Sequence, residues 1–134
     1  SEFIKEIVTR SGCKMLLDIN NVYLNAFNHN YNEHNFIDNL PLNEVAYMHI
    51  AGHDKISDDL IIDTHGAKVI DPVWQLLKQT YAMNRFDALN TPTCLERDFN
   101  IPPIKELLHE VAKIRAIQSE FTVSNKDQKV SAHG

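Results

Sequence analysis

The sequence is poor in cysteine and has fewer basic than acidic side chains. It contains only two cysteines, Cys13 and Cys94. Two are too few for a disulfide scaffold, so we expect reduced, buried thiols. Thirteen Lys and Arg against eighteen Asp and Glu give a formal net charge of −5. This balance argues against a broad nucleic-acid-binding face, so we expect no nucleic-acid partner.

Long apolar runs are also missing. No run approaches the roughly 20 residues that cross a bilayer. The N-terminal segment SEFIKEIVTR lacks the apolar stretch of a secretion signal. We therefore expect a cytoplasmic protein with no membrane partner. The chain does not begin with Met, which is consistent with a start that lies outside this sequence.

What is present is an alternation of helical and strand patterns. Helices are predicted to begin near Phe3, His34, Asp71 and Pro102, and strands are predicted at Lys14–Ile19, Glu44–Ala51 and Thr93–Glu96. Asp71 is expected to N-cap the third helix, with Pro72 at its first position. Residues 20–35, rich in Asn, His and Tyr, are interpreted as a functional loop, and residues 53–71 as a long polar loop.

This order predicts an α/β fold in which parallel strands are covered by outer helices. A complete (β/α)8 TIM barrel takes about 250 residues. We therefore interpret residues 1–118 as the C-terminal half of such a barrel, and residues 119–134 as a poorly ordered tail. Exposed sheet edges would then need a cover, either the N-terminal half or another copy in a homo-oligomer.

Nitrogen and oxygen donors gather where the predicted strands end. The candidate metal ligands are Asp18, Asn21, His49, Asp63, His65 and Glu96. Each lies at the carboxyl end of a strand or in the loop that follows, which is where active sites form in βα barrels. Carboxylate and imidazole donors suit iron, manganese or zinc, and so many acids could neutralise more than one ion.

Each candidate also has a plainer explanation. Asp18 could cap a helix or pair with a buried Arg, Asn21 could shape a turn, and His49 could be a core histidine. Asp63 and His65 could be ordinary loop residues, and Glu96 could pair with an arginine on the surface. Their shared position at one end of the sheet favours the metal site.

His53 follows the second strand and stands apart from this set. There is no HExxH motif, and Gly52 argues against a helix that would pair His49 with His53. We predict a catalytic role for His53 as a proton donor, with an ordinary loop histidine as the alternative.

Four stretches resemble a known family. They are LLDINNVYLNAFNHNYN, MHIAGH, DTHGAKVIDPVWQLL and CLERDFNIPPIKELLHEV, which together extend over about residues 1–118. They resemble the multinuclear non-haem iron oxidative enzymes, long catalogued as a bacterial domain of unknown function, which include the iron oxidase of methanobactin biosynthesis. These are xylose isomerase-like TIM barrels, a superfamily that also contains endonuclease IV, a trinuclear zinc enzyme.

The resemblance implies an activity. It implies two or three iron ions, with zinc or manganese as alternatives, held in part by the six residues above. It implies oxidative modification of a peptide substrate, often at Cys, with a small partner protein that presents the peptide. The remaining ligands would come from the N-terminal half, so we expect this chain alone to be inactive. A divalent-metal sugar isomerase or phosphodiester hydrolase, and a non-catalytic binding domain, remain alternatives.

Overall fold

A computed structural model describes residues 1–83 and 90–130, with side chains described through Phe121. The helices are Glu2–Ser11 (α1), Ile19–His29 (α2), Glu33–Asp38 (α3), Asp71–Ala82 (α4) and Ile104–Val130 (α5). The strands are Met15–Asp18 (β1), Val45–Ala51 (β2), Asp54–Ser57 (β3), Leu60–Ile62 (β4) and Thr93–Glu96 (β5). Gly12 ends α1 in a left-handed conformation with φ 69°, as glycine commonly does after a helix.

Three strands form a parallel sheet in the order β1-β2-β5. Asp18 pairs with His49, and Ala51 pairs with Glu96, so the carboxyl ends of the strands meet at one edge. Each strand is followed in sequence by a helix that packs on the sheet or beside it. The predicted α/β class, with parallel strands and outer helices as in part of a TIM barrel, is confirmed.

Among the described residues, the helices cover only one face of this sheet. Side chains alternate along a strand, and on the covered face Met48 and Ile50 are fully buried. On the opposite face, Leu16 and Tyr47 lie side by side and are 40% and 41% exposed. Cys94 is exposed on the same face, next to His49 in register. We call the surface formed by Leu16, Tyr47 and Cys94 the open face.

The prediction that both thiols are buried is wrong. Cys13 is exposed after α1, and Cys94 is exposed because it lies on the open face. Both cysteines are free, as expected.

The prediction of a loop over residues 20–35 is also wrong, because most of it forms α2. Asp18 caps this helix by accepting a hydrogen bond of 2.8 Å from the backbone N–H of Asn21. Val22 and Ala26, four positions apart, are buried against the core. Burial of this apolar stripe outweighs the weak helix propensity of the many asparagines. Asn30 ends the helix with φ 52°.

The segment between β2 and α4 is more ordered than the predicted polar loop. β3 and β4 form an antiparallel hairpin, in which Ile61 is buried. Ile70 is the N-cap of α4, so Asp71 is not the cap that the sequence predicts. Asp71 lies in the first turn, where its charge interacts favourably with the helix dipole.

Helix α5 continues through Val130. Side chains beyond Phe121 and residues 131–134 lie outside the described residues. The division into residues 1–118 and a tail of residues 119–134 therefore stays a prediction. Among the described residues, no helix is both long enough and apolar enough to span a membrane.

Candidate metal centre

The six predicted ligands lie at the carboxyl edge of the parallel sheet. Asp18 and Glu96 are the last residues of β1 and β5, and His49 lies in β2. Asp63 and His65 follow the hairpin, and Asn21 lies in the first turn of α2. Their roles as metal ligands stay a prediction. Parallel pairing brings Asp18, His49 and Glu96 to this edge, and side-chain contacts join the other three residues to them.

Three of the six form a compact triad. Asp18, His65 and Glu96 each offer one ligand atom, and these atoms all lie within 4.8 Å of one another. All three residues are half-buried. Oxygen and imidazole ligands lie about 2.0–2.2 Å from a bound ion such as zinc, so small side-chain rotations would bring the three donors to one cation.

Glu96 lies between the two predicted histidine ligands. Its Oε1 is 2.8 Å from Nδ1 of His49, and its Oε2 is 3.5 Å from Nδ1 of His65. Each carboxylate oxygen therefore faces a different ring. Strand pairing places Glu96 beside His49, because β2 and β5 are neighbours and both end at this edge.

Carboxylates surround His65. Its Nδ1 lies 3.0 Å from Oδ2 of Asp98, and its Nε2 lies 2.9 Å from Oδ1 of Asp63. Burial acts to lower the pKa of His65, but the carboxylates of Asp63, Asp98 and Glu96 outweigh it and raise that pKa. The contact with Asp63 lacks hydrogen-bond geometry, so Nε2 has no hydrogen-bond partner in the described part of the chain.

The donor set fits a divalent cation. Four carboxylates, those of Asp18, Asp63, Glu96 and Asp98, gather around His65. In residues 1–83 and 90–121, no Lys or Arg forms an ion pair with any of the four. Like charges held this close together repel one another, and a bound cation would neutralise them.

Asn21 contacts the cluster through Asp63. Its Nδ2 donates a hydrogen bond of 2.8 Å to Oδ2 of Asp63, and its backbone N–H donates to Asp18. The structure therefore places Asn21 beside the triad and not within it.

The side chain of Asn20 lies between His53 and the carboxylate cluster. His53 is buried, and its Nδ1 is 2.7 Å from Oδ1 of Asn20. Tyr23 stacks on the ring with a centroid distance of 5.5 Å. Burial lowers the pKa of His53, while the nearby Asp63 and Asp54 oppose that effect. The catalytic role predicted for His53 is not tested by these contacts.

Sequence reasoning missed two residues of this region. Asn20 is fully buried and donates a hydrogen bond of 2.7 Å from Nδ2 to Oδ1 of Asp63. Asp98 contacts His65 through its side chain, and its backbone N–H donates to the carbonyl of His65 at 3.1 Å. The available signals were the adjacent asparagines after Asp18, and an acid two positions after Glu96.

Comparison with known proteins gives a family and several relatives. The family described as RiPP precursor modification enzyme MbnB/TglH/ChrH matches residues 1–119. A UPF0276 protein of Nitrosospira multiformis is 51% identical over 123 residues, which cover 92% of this chain and 42% of that protein. A UPF0276 protein of Shewanella sediminis is 47% identical over 117 residues, with coverage of 87% and 41%.

A third relative, from Acinetobacter baylyi, is also a UPF0276 protein. It is 40% identical over 133 residues, which cover 99% of this chain and 45% of that protein. The chain thus spans less than half the length of the curated relatives that it matches.

Proposed function

Because this chain belongs to the MbnB/TglH/ChrH family of RiPP precursor modification enzymes, we propose that it is part of a metal-dependent enzyme that oxidatively modifies a peptide. The family description supports a peptide precursor as the substrate. The observation that carries the metal dependence is the triad of Asp18, His65 and Glu96, whose ligand atoms lie within 4.8 Å of one another.

The proposed cofactor is iron, with two or three ions in the complete protein. The proposed ligands from this chain are Asp18, Asn21, His49, Asp63, His65 and Glu96. Mixed carboxylate and imidazole donors suit non-haem iron, and they also suit zinc and manganese. The chain spans less than half the length of its relatives, so we propose that further ligands come from the rest of a longer protein.

Iron, when bound, would supply the redox chemistry that oxidises the peptide, and the resemblance of the motifs leads us to propose cysteine as its target. The residues of this chain would hold and orient the cluster. Glu96 would keep both histidine rings in place, and Asn21 would orient Asp63. We assign His53 the transfer of a proton, because it is buried beside the candidate centre and burial lowers the pKa of its ring.

We also propose a cover for the open face. Leu16, Tyr47 and Cys94 are left exposed by the described residues. In a closed barrel this face would point inward and be packed by other strands. Further βα units of a longer protein would bury it, and a small partner protein would present the peptide at the carboxyl edge.

The test of the metal site is anaerobic reconstitution with ferrous iron, followed by metal analysis of the purified chain. We expect this chain alone to bind fewer irons than the two or three of the complete site. Glu96→Gln keeps the size of the side chain but removes its charge, so it should weaken iron binding at least about tenfold. Glu106→Gln is the matched control, because Glu106 is an exposed partner of Lys68 away from the edge.

The outcomes separate the alternatives. No iron bound by the wild-type chain, or equal binding by Glu96→Gln and the wild type, would contradict the metal site. Stoichiometric binding of several irons by this chain alone would contradict the need for further ligands. Visible and Mössbauer spectra under oxygen would test the oxidative activity, because a zinc or manganese hydrolase gives no iron redox response.

A further inference from the structure

Asn20 is a fully buried polar residue beside the candidate metal centre. The two ends of its amide face different partners, since Nδ2 lies 2.7 Å from Oδ1 of Asp63 and Oδ1 lies 2.7 Å from Nδ1 of His53. A carboxylate only accepts hydrogen bonds, so the NH₂ end of the amide must face Asp63. The carbonyl end then faces His53 and needs a donor there.

We infer that Asn20 is a positioning residue that holds His53 as the tautomer protonated at Nδ1 and leaves Nε2 as the proton acceptor of that ring. A neutral imidazole has one N–H donor and one acceptor nitrogen, so fixing one fixes the other. Stacking by Tyr23 restricts the ring flip that would exchange the two nitrogens. Burial supports a neutral ring by lowering the pKa of His53.

The same amide also orients Asp63. Asn20 holds one oxygen of that carboxylate, and Nδ2 of Asn21 holds the other at 2.8 Å. A single side chain therefore connects the predicted catalytic residue His53 to the predicted ligand Asp63. The tautomer depends on these contacts alone, whereas its use in peptide modification rests on the proposed function.

Asn28 offers a matched control on the same helix. Its Nδ2 donates to the carbonyl of Ile61 at 2.8 Å, and its Oδ1 accepts from the N–H of Ile61 at 2.9 Å. Asn28, like Asn20, thus uses both ends of its amide to tie α2 to the segment that follows β2. It makes no hydrogen bond to His53 in the described part of the chain. Loss of Asn28 therefore removes two comparable hydrogen bonds without touching that ring.

The experiment is long-range ¹H–¹⁵N NMR on the metal-free chain labelled with ¹⁵N-histidine, with His53 assigned by its loss in His53→Gln. We expect a proton on Nδ1 and none on Nε2 in the wild type and in Asn28→Ala. Asn20→Ala should lose this pure tautomer and give a mixture of the two forms. A purely structural role for Asn20 would leave the tautomer unchanged.

A proton on Nε2 of His53 in the wild type, or an unchanged tautomer in Asn20→Ala, would overturn the inference. If Asn20→Ala does not fold, the wild-type spectrum decides by which nitrogen carries the proton. The measurement uses no metal, so a failure of iron binding would overturn the proposed function and leave this result standing.

Discussion

Tyr81 connects three elements through one hydroxyl group. It lies in α4, and its O–H donates to the carbonyl of Thr91 at 2.9 Å and lies 2.7 Å from Oγ1 of Thr93 in β5. Nε2 of Gln118 in α5 donates to the same hydroxyl at 2.9 Å. Burial raises the pKa of Tyr81, partly offset by the hydrogen bonds of Thr93 and Gln118.

Tyr81→Phe should therefore change both stability and its dependence on pH. A raised pKa in the folded state stabilises the protein fully below the unfolded value of about 10. That contribution is lost as the pH rises through the folded value. We expect the variant to lose about 1–3 kcal/mol near neutral pH and to show a shallower decline above pH 10.

Urea denaturation at a series of pH values measures both effects. Tyr47→Phe is the control, because Tyr47 is 41% exposed. Equal slopes for the wild type and Tyr81→Phe above pH 10 would contradict the assignment.

The sequence predicts the position of a side chain well where strand geometry sets it. Asp18, His49 and Glu96 are brought together by parallel pairing, which the apolar runs already indicate. Asn20 and Asp98 could not be predicted, because their roles depend on partners 43 and 33 positions away. No local pattern encodes which of two adjacent asparagines turns inward.

At the scale of elements, Gly52 sets how closely the segment after His65 approaches β2. A Cβ built on Gly52 would lie 2.1 Å from the carbonyl oxygen of Ala67 and 2.6 Å from that of Lys68. Both are backbone atoms, so the segment that carries His65 would have to move. The absence of a side chain at Gly52 thus helps to place His65 at the edge of the sheet.

Gly52→Ala should destabilise the chain by about 3 kcal/mol or more, because it overpacks backbone against backbone. Gly12→Ala is the control, since a Cβ built on Gly12 would have no atom within 4 Å. Because alanine is strained in the left-handed conformation of Gly12, we expect Gly12→Ala to cost about 1–2 kcal/mol of stability. Thermal denaturation of the two variants compares them, and a smaller loss for Gly52→Ala than for Gly12→Ala would show that the segment adapts freely.

The order of the elements can be predicted from the sequence, except for helix α2 and the β3–β4 hairpin. The strands β1, β2 and β5 and the helices α1, α4 and α5 follow apolar spacing that is visible in the local sequence. Richness in Asn, His and Tyr favours a loop over residues 20–35, and asparagine has weak helical propensity. The formation of α2 depends on burial of Val22 and Ala26, which is a tertiary effect. The short β3–β4 hairpin likewise depends on contacts between Asn28 and Ile61.

At the scale of the whole molecule, the described part of the chain leaves one face of the three-stranded sheet uncovered. The open face combines apolar side chains with two strand edges, since β1 and β5 flank β2. Exposed edges and apolar patches promote association. The sequence anticipates this, because three parallel strands are too few to close a barrel.

We expect the isolated chain to associate as its concentration rises. Tyr47→Lys should reduce association by placing a charge at the centre of the open face, whereas Ile56→Lys, on the exposed hairpin, should not. Sedimentation velocity over a range of concentrations makes the comparison. A compact wild-type monomer at all concentrations would contradict this expectation.

The reactivity of the Cys94 thiol can report whether the barrel is closed. This thiol lies on the open face, beside His49 in register. Cys13 is also exposed, but it precedes β1, at the opposite end of that strand from the candidate metal centre. An alkylating reagent would therefore label both cysteines in this chain. It would not label Cys94 where other strands complete the barrel and cover the open face. The ratio of alkylation at Cys94 to alkylation at Cys13, measured by mass spectrometry, would give the fraction of molecules in which the open face is covered.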